Sequence, residues 1–345
     1  QEADGSWKTT SGGGGGTTAG TPAMTGLALL CYLAHGETPA SEEFGPTVEK
    51  AIRWLVETQG ADGRFPNGKD GHEYSHPIAT YALAEAYGMT KVPTIQMAAE
   101  KAMDVILKGQ HASGNWNYNC DQSNRDDTSY TAWCCQALKA GYMAGLSNKG
   151  MKEAMTKAIS GLKQNQNPGS GMFGYTGNDG GFGGHLTGAG TLCLQLMGAS
   201  RDGATKTGLT WLEQEKFDWG PNAIGERPIY YWYYITQAKF HGGGEGWNSW
   251  NKSFSAPLVK NQTVIPQAIQ GPGGKMVDIG YWAAPKQSEP YGLVYNTTLC
   301  CLMLEVYYRY LPTFQTPKDE AAAAAPAAAP AKDDKKNEVK IDIQM

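Results

Sequence analysis

The sequence predicts an all-α fold, a single (α/α)6 toroid in which six inner helices are ringed by outer helices. Three observations lead there: a turn motif recurring roughly every 50 residues, two alternating kinds of helical pattern between its copies, and glycine concentrated at the turns. Glycine supplies 45 of 345 residues, about twice its usual share, and shows no G-X-Y period, so collagen is excluded. At 41% hydrophobic the chain is globular, and its length is ample for a sizeable core.

The motif is Gln, three or four residues, Gly, one residue, then an aromatic. It reads QEADGSW from Gln1, QGADGRF from Gln59, QHASGNW from Gln110 and QNPGSGMF from Gln166. Gln214 (QEKFDW) and Gln262 keep the Gln and lose the rest. The glutamine is expected to bond exposed carbonyls at a helix end, the glycine to make a sharp reversal, and the aromatic to plug the gap between neighbouring helices.

Each glutamine ends an amphipathic pattern with one wet face: Thr47–Thr58, Thr94–Leu107, Lys152–Leu162, Ala204–Leu212 and Asn248–Val259. Each aromatic is followed by a loop and a second stretch that is apolar nearly all round: Thr25–Ala34, His76–Gly88, Thr128–Met143, His185–Met197, Ile229–Phe240 and Tyr295–Tyr310. Such helices must be shielded from water, which a closed double ring achieves and an open solenoid with a polar concave face does not. The sixth outer helix is expected to precede Gln1. The toroid is expected over 1–314. Residues 315–345 read as an Ala/Pro/charged linker, disordered or loosely docked, with VKIDI a short strand at most.

Net charge is −4 and no basic stripe exists, which excludes nucleic acid as a partner class. The longest apolar run, Ala23–Ala34, is too short for a transmembrane segment. The chain starts at Gln1 rather than Met, so removal of an upstream export signal is expected, pointing to a secreted or periplasmic location. Seven cysteines without CxxC spacing argue against a disulfide framework and read as small buried hydrophobes, although Cys120 could pair with another thiol under oxidising conditions. The oligomeric state is not encoded in any pattern.

The Q-x3-G-x-W repeats on paired helices resemble the squalene–hopene cyclase and protein prenyltransferase β-subunit superfamily. More narrowly, GTPAMTGLALLCYLAHGETP, HPIATYALAEAYGMT, DDTSYTAWCCQALKAG, YYWYYITQAKFHGG and TLCCLMLEVYYRYLP are similar to bacterial secreted prenyltransferase/squalene-oxidase-repeat proteins. The resemblance covers residues 1–314 and implies the toroid fold, with inner-helix N-termini opening into one mouth of a central cavity. Folds of this kind host many chemistries.

Asn124-Arg125-Asp126-Asp127-Thr128 resembles the D-x-D-D-T segment of class II terpene cyclases, whose central Asp protonates an alkene. Carried over, Asp126 matches the proton donor and Asp127 its neighbour, while Asn124 stands where the first Asp belongs. Alkene protonation needs a strong acid in a dry site. An Asp ahead of Thr-Ser and an apolar run is equally a helix N-cap. Those cyclases resemble two-domain proteins with the pocket between barrels, whereas one domain's worth of chain is present here.

Gly180-Gly181-Phe182-Gly183-Gly184 resembles a prenyltransferase stretch, yet no Asp precedes Cys193 at zinc-ligand spacing, and the histidines form no HxH or HExxH pair. His72 and His76 at i,i+4 are a weak two-ligand signal. No metal and no cofactor are therefore expected. Aromatic and polar residues at the inner-helix mouths are the candidate cavity lining: His76, Tyr130, Trp133, His185, Asp218, Tyr230, Tyr231, Trp232 and Tyr295, with Glu73, Glu226 and Arg227 nearby. Packing between rings of helices is the competing role for the aromatics. Three functions follow: binding of an apolar or isoprenoid-like ligand with degenerate acid catalysis at Asp126; hydrolysis of a glycan or peptide by paired carboxylates, whose separation would set the mechanism; or a non-enzymatic interaction module with a closed cavity.

Overall fold

The computed structural model describes residues 1–8, 21–66, 74–122, 127–178, 181–271, 274–286 and 292–308. The chain divides into Gln1–Gln315 and Thr316–Met345. The second unit, including VKIDI, lies outside the described residues, as do His72, Glu73, Asn124 and Asp126.

Among the described residues the α-helices are α1 (Pro22–Ala34), α2 (Gly45–Thr58), α3 (Ser75–Thr90), α4 (Pro93–Gly109), α5 (Thr128–Ala144), α6 (Met151–Gln164), α7 (Thr187–Leu194), α8 (Gly203–Leu212), α9 (Pro228–Gly242), α10 (Gly244–Lys260) and α11 (Gly292–Glu305). A π-helical turn, Gln195–Ala199, prolongs α7. Odd-numbered helices touch one another in succession, and α11 touches α1, so the inner ring is closed. Helices α2, α4, α6 and α8 each pack between the two inner helices that flank them in sequence, and α10 packs on α9. The chain is thus an all-α toroid of the predicted class. No helix among the described residues is long and apolar enough to cross a membrane.

Hydrophobic patterning sorts the rings. Helix α2 buries Val48, Ala51, Ile52 and Leu55 and turns Glu49, Lys50, Arg53 and Glu57 to water. Helix α1 buries every residue from Pro22 to Leu30, including Leu27, Leu29 and Leu30. Each fully buried leucine contributes about 1.5–3 kcal/mol, so the inner helices are held in place mainly by burial.

The repeated motif locks ring to ring. Gln59 Nε2 donates to Gly63 O at 3.0 Å and to Ala98 O of the next outer helix at 2.9 Å. Gln1 does the same with Gly5 and Thr47, Gln110 with Gly114 and Ala154, and Gln166 with Gly171 and Ala204. The four glycines all have positive φ, and a Cβ on any of them would overlap a backbone carbonyl of the next outer helix: Lys50, Lys101, Lys157 or Thr207. Glycine is required twice over, by φ and by close approach. The aromatic's N–H then bonds a side chain of the following inner helix: Trp7 to Thr25, Phe65 to His76, Trp116 to Thr131 and Phe173 to Thr187.

The structure corrects the reading of Gln262 as a motif remnant. Strands β1 (Thr263–Gln270) and β2 (Met276–Tyr281) form an antiparallel hairpin with Thr263 opposite Tyr281 and Val264 opposite Gly280. Its closure returns the chain to Gln262, where Gly280-Tyr281-Trp282 restores the G-x-W half of the motif. Trp282 N–H bonds Thr297 Oγ1 at 3.2 Å and its indole bonds Leu258 O at 2.8 Å, the pattern of Trp116 with Thr131 and Ile106. Among the described residues no outer helix covers the seam between α11 and α1.

Candidate functional site

A cavity of about 320 Å³ opens at the mouth where the odd-numbered helices begin. Its wall is aromatic and hydroxylated: Tyr74, Tyr118, Ser129, Trp133, Tyr175, Tyr230, Tyr231 and Tyr295, with Ala23, Met24, Ile78 and Leu186 filling between them and Glu226 and Arg227 exposed at the rim. Trp133 stacks on Tyr233 at 5.7 Å, and Tyr233 OH donates to Gln136 Oε1 at 2.7 Å, so packed side chains back the cavity wall at Trp133.

Asp127 organises one side of this wall. It is fully buried and caps α5, its Oδ1 accepting from Tyr130 N–H at 2.7 Å and from Ser129 Oγ at 2.5 Å. Ser129 Oγ is 2.7 Å from Tyr74 OH, Tyr74 OH is 3.2 Å from Tyr118 OH, and Tyr118 OH bonds Tyr175 OH. The result is a chain of four hydroxyls that starts on the Asp127 carboxylate and ends at Tyr175. Burial, then the neighbouring Tyr230 and Asp127 charges, push Tyr74 well above its ordinary value. Burial and Asp127 likewise raise Tyr118 and Tyr175. These phenols keep their protons and serve as hydrogen-bond donors and acceptors, not as bases.

Of the residues chosen from sequence, Trp133, Tyr230, Tyr231 and Tyr295 line the cavity, as do Glu226 and Arg227. Tyr130 stands behind the wall, in ring contact with Tyr74 and Tyr118. His185 is one ring back, 4.9 Å from Tyr231, and burial and then Lys286 lower its imidazole below the ordinary value. Three residues are elsewhere. His76 is buried, its Nε2 3.1 Å from Ala102 O and its Nδ1 accepting from Phe65 N–H, so it takes the part played by threonine in other motifs. Trp232 turns outward onto Phe217 and Trp219, because its position on α9 faces the outer ring. Asp218 is exposed on the loop before α9. That loop is pinned by Lys286, which donates to Ala223 O and, at 2.8 Å, to Gly225 O.

Tyr118 and Tyr175 escaped the sequence reading although they carry a signal. Each stands two positions after a motif aromatic, in Trp116-x-Tyr118 and Phe173-x-Tyr175. Tyr74 immediately precedes α3 and has no such mark. Among the described residues no group of three or more His, Cys, Asp or Glu is placed to hold a metal ion.

No protein-family model matches the chain. A squalene–hopene cyclase of Zymomonas mobilis is 30% identical over 130 residues, 35% of this chain and 18% of the cyclase. The chain thus spans under a fifth of that relative's length. An α-1,6-mannanase of Salegentibacter sp. HEL1_6 superposes with a TM-score of 0.59 at 12% identity over 91% of this chain and 94% of that one. It was solved with α-1,6-mannotriose as an inactive variant in which two consecutive aspartates are asparagine. A sugar epimerase from a ruminal bacterium gives 0.58 at 12% identity, covering 89% of this chain and 94% of that one. The chain is an α/α toroid. Its fold is shared with sugar-active proteins, and about a third of its length resembles part of a squalene–hopene cyclase.

Proposed function

We propose that the toroid is a glycan-active hydrolase whose substrate sits in the mouth cavity. The chain of hydroxyls anchored on Asp127 carries this reading. A sugar presents apolar ring faces edged by hydroxyls, and the wall offers the complement: rings for stacking and protonated phenols for hydrogen bonds. The mannanase and epimerase likenesses support a sugar as the ligand class, and the mannanase's paired aspartates match the consecutive Asp126 and Asp127 in kind. On this reading Asp127 is a positioning residue, since it is buried and its Oδ1 holds the cap and the first hydroxyl of the chain. Asp126, beside it, and Glu226 at the rim supply the carboxyls that protonate the leaving oxygen and activate water.

The test is product release from a panel of α- and β-linked oligosaccharides, α-1,6-mannotriose included, with the parent chain and with Asp126→Asn and Glu226→Gln. Release by the parent and its loss in both variants is expected. Binding without release would reduce the protein to a sugar-binding module, and no binding to any member would sink the reading. The cyclase-like stretch favours a second reading, an isoprenoid-like ligand with Asp126 as acid. A polyprenyl alcohol that protects the chain thermally, where sugars do not, would establish it instead.

A further inference from the structure

The seam between α11 and α1 holds a second cavity, about 470 Å³, that shares no lining residue with the mouth. Cys31 of α1, Cys301 and Glu305 of α11, and Tyr32 line it. Cys31 Sγ donates to Thr298 O at 3.3 Å, one turn before Cys301 on the same face of α11, and both cysteines face the one cavity. Both cysteines are half-buried. Cys120 with Cys134, and Cys135 with Cys193, are also neighbouring pairs, but all four are fully shielded and line neither cavity.

We infer that Cys31 and Cys301 form a thiol–disulfide exchange site that takes a small disulfide such as oxidised glutathione and staples the first inner helix to the last. The pair is asymmetric in the way exchange requires. The neighbouring Cys31 lowers the Cys301 thiol, while burial raises Cys31. The Cys301 thiolate attacks one sulfur of the disulfide, making a mixed disulfide and releasing one glutathione. Cys31 then attacks the Cys301 sulfur, forming the Cys31–Cys301 bond and releasing the second. Two protein thiols are oxidised, one glutathione disulfide is reduced to two thiols, and the two thiol protons end on the released glutathiones. Glu305 is held protonated by burial, so no carboxylate charge opposes the thiolate. The bond would close a loop running almost the whole toroid, at the one seam where no outer helix spans the ring among the described residues.

The experiment uses the full chain, oxidised glutathione in excess, and alkylation in denaturant followed by intact mass and peptide mapping. Two of the seven thiols should escape alkylation, and a peptide pair linked through Cys31 and Cys301 should appear. Cys31→Ser should trap one glutathione on Cys301, and Cys301→Ser should trap none at Cys31. The oxidised parent should melt at higher temperature than the reduced one, a difference erased by dithiothreitol and absent from the double variant. Seven alkylated thiols, a cross-link mapped elsewhere, or no glutathione on Cys301 in Cys31→Ser would each overturn the inference.

Discussion

The side-chain amide of Gln262 lies against the α-carbon of Gly280, although residues 263–279 separate them in sequence. A Cβ there would overlap Gln262 Nε2, so the hairpin brings the glutamine and the glycine of the interrupted motif back together. The hairpin is an insertion inside one motif, and the motif survives it.

That relation predicts that the hairpin is dispensable to the ring. Replacing residues 263–279 with His-Ala-Ser, the linker found between Gln110 and Gly114, should leave a cooperative unfolding transition within a few degrees of the parent. Its exposed Val264, Ile265, Ile269 and Met276 add little burial. Thermal unfolding followed by circular dichroism checks it, and an unfolded variant would make the hairpin part of the core.

Gly114→Ala and Gln110→Ala should separate the two jobs of the motif. Alanine at Gly114 meets a φ of +106° and the Lys157 carbonyl, for a loss of at least about 2 kcal/mol. Gln110→Ala removes two donors from buried carbonyls and should cost about 1–3 kcal/mol. Denaturant titration measures both, and Gly114→Ala must be the worse.

This division explains what was legible in the sequence. The fold was readable because its fastening, Gln to Gly to aromatic, is local and repeated, and because ring membership follows from one-sided against all-round hydrophobicity. The sixth motif was hidden by an insertion that only pairing across the hairpin undoes. The cavity was half readable: Tyr230 and Tyr231 open a helix and so declare themselves, while Tyr74, Tyr118 and Tyr175 come from separate loops and meet only in three dimensions. His76 misled because an apolar helix start with a histidine looks like a site, when its ring is spent on a backbone N–H and a carbonyl.

His76 also sets an acid limit. Burial lowers it from an ordinary 6.5 to about 4 in the folded chain. Between those values the unfolded chain binds the extra proton. The stabilisation is therefore whole above pH 6.5 and drains as pH falls toward 4, by on the order of 3 kcal/mol. His76→Asn keeps an acceptor for Phe65 N–H and cannot titrate. Its stability should be flatter over that window in urea titrations at stepped pH.

Glu305 acts in the opposite sense. Burial, then the Cys301 charge, raise it from 4.5 to about 9. Folding favours its protonated form, so its contribution is whole below pH 4.5 and is lost as pH rises through 9. Glu305→Gln should match the parent near pH 5 and exceed it at pH 9 by the same measurement. An equal decline in both would place the alkaline loss elsewhere.

The consecutive aspartates should part company. Asp127→Asn weakens the α5 cap and unsettles the hydroxyl chain anchored on it, so it should lower stability by about 0.5–2 kcal/mol and weaken sugar binding together. Asp126→Asn should leave the melting temperature in place and remove turnover alone, because the proposed role for Asp126 is to move a proton and not to hold a wall. Tyr175→Phe removes the last hydroxyl of the chain and should weaken binding about 2- to 10-fold with the fold intact, the worth of one neutral hydrogen bond. Calorimetric binding, initial rates and melting curves on the three variants give three different patterns if the wall and the chemistry are separate. If Asp126→Asn and Asp127→Asn behave alike in all three measurements, the pair works as one structural unit and the reacting carboxyl must be sought at Glu226.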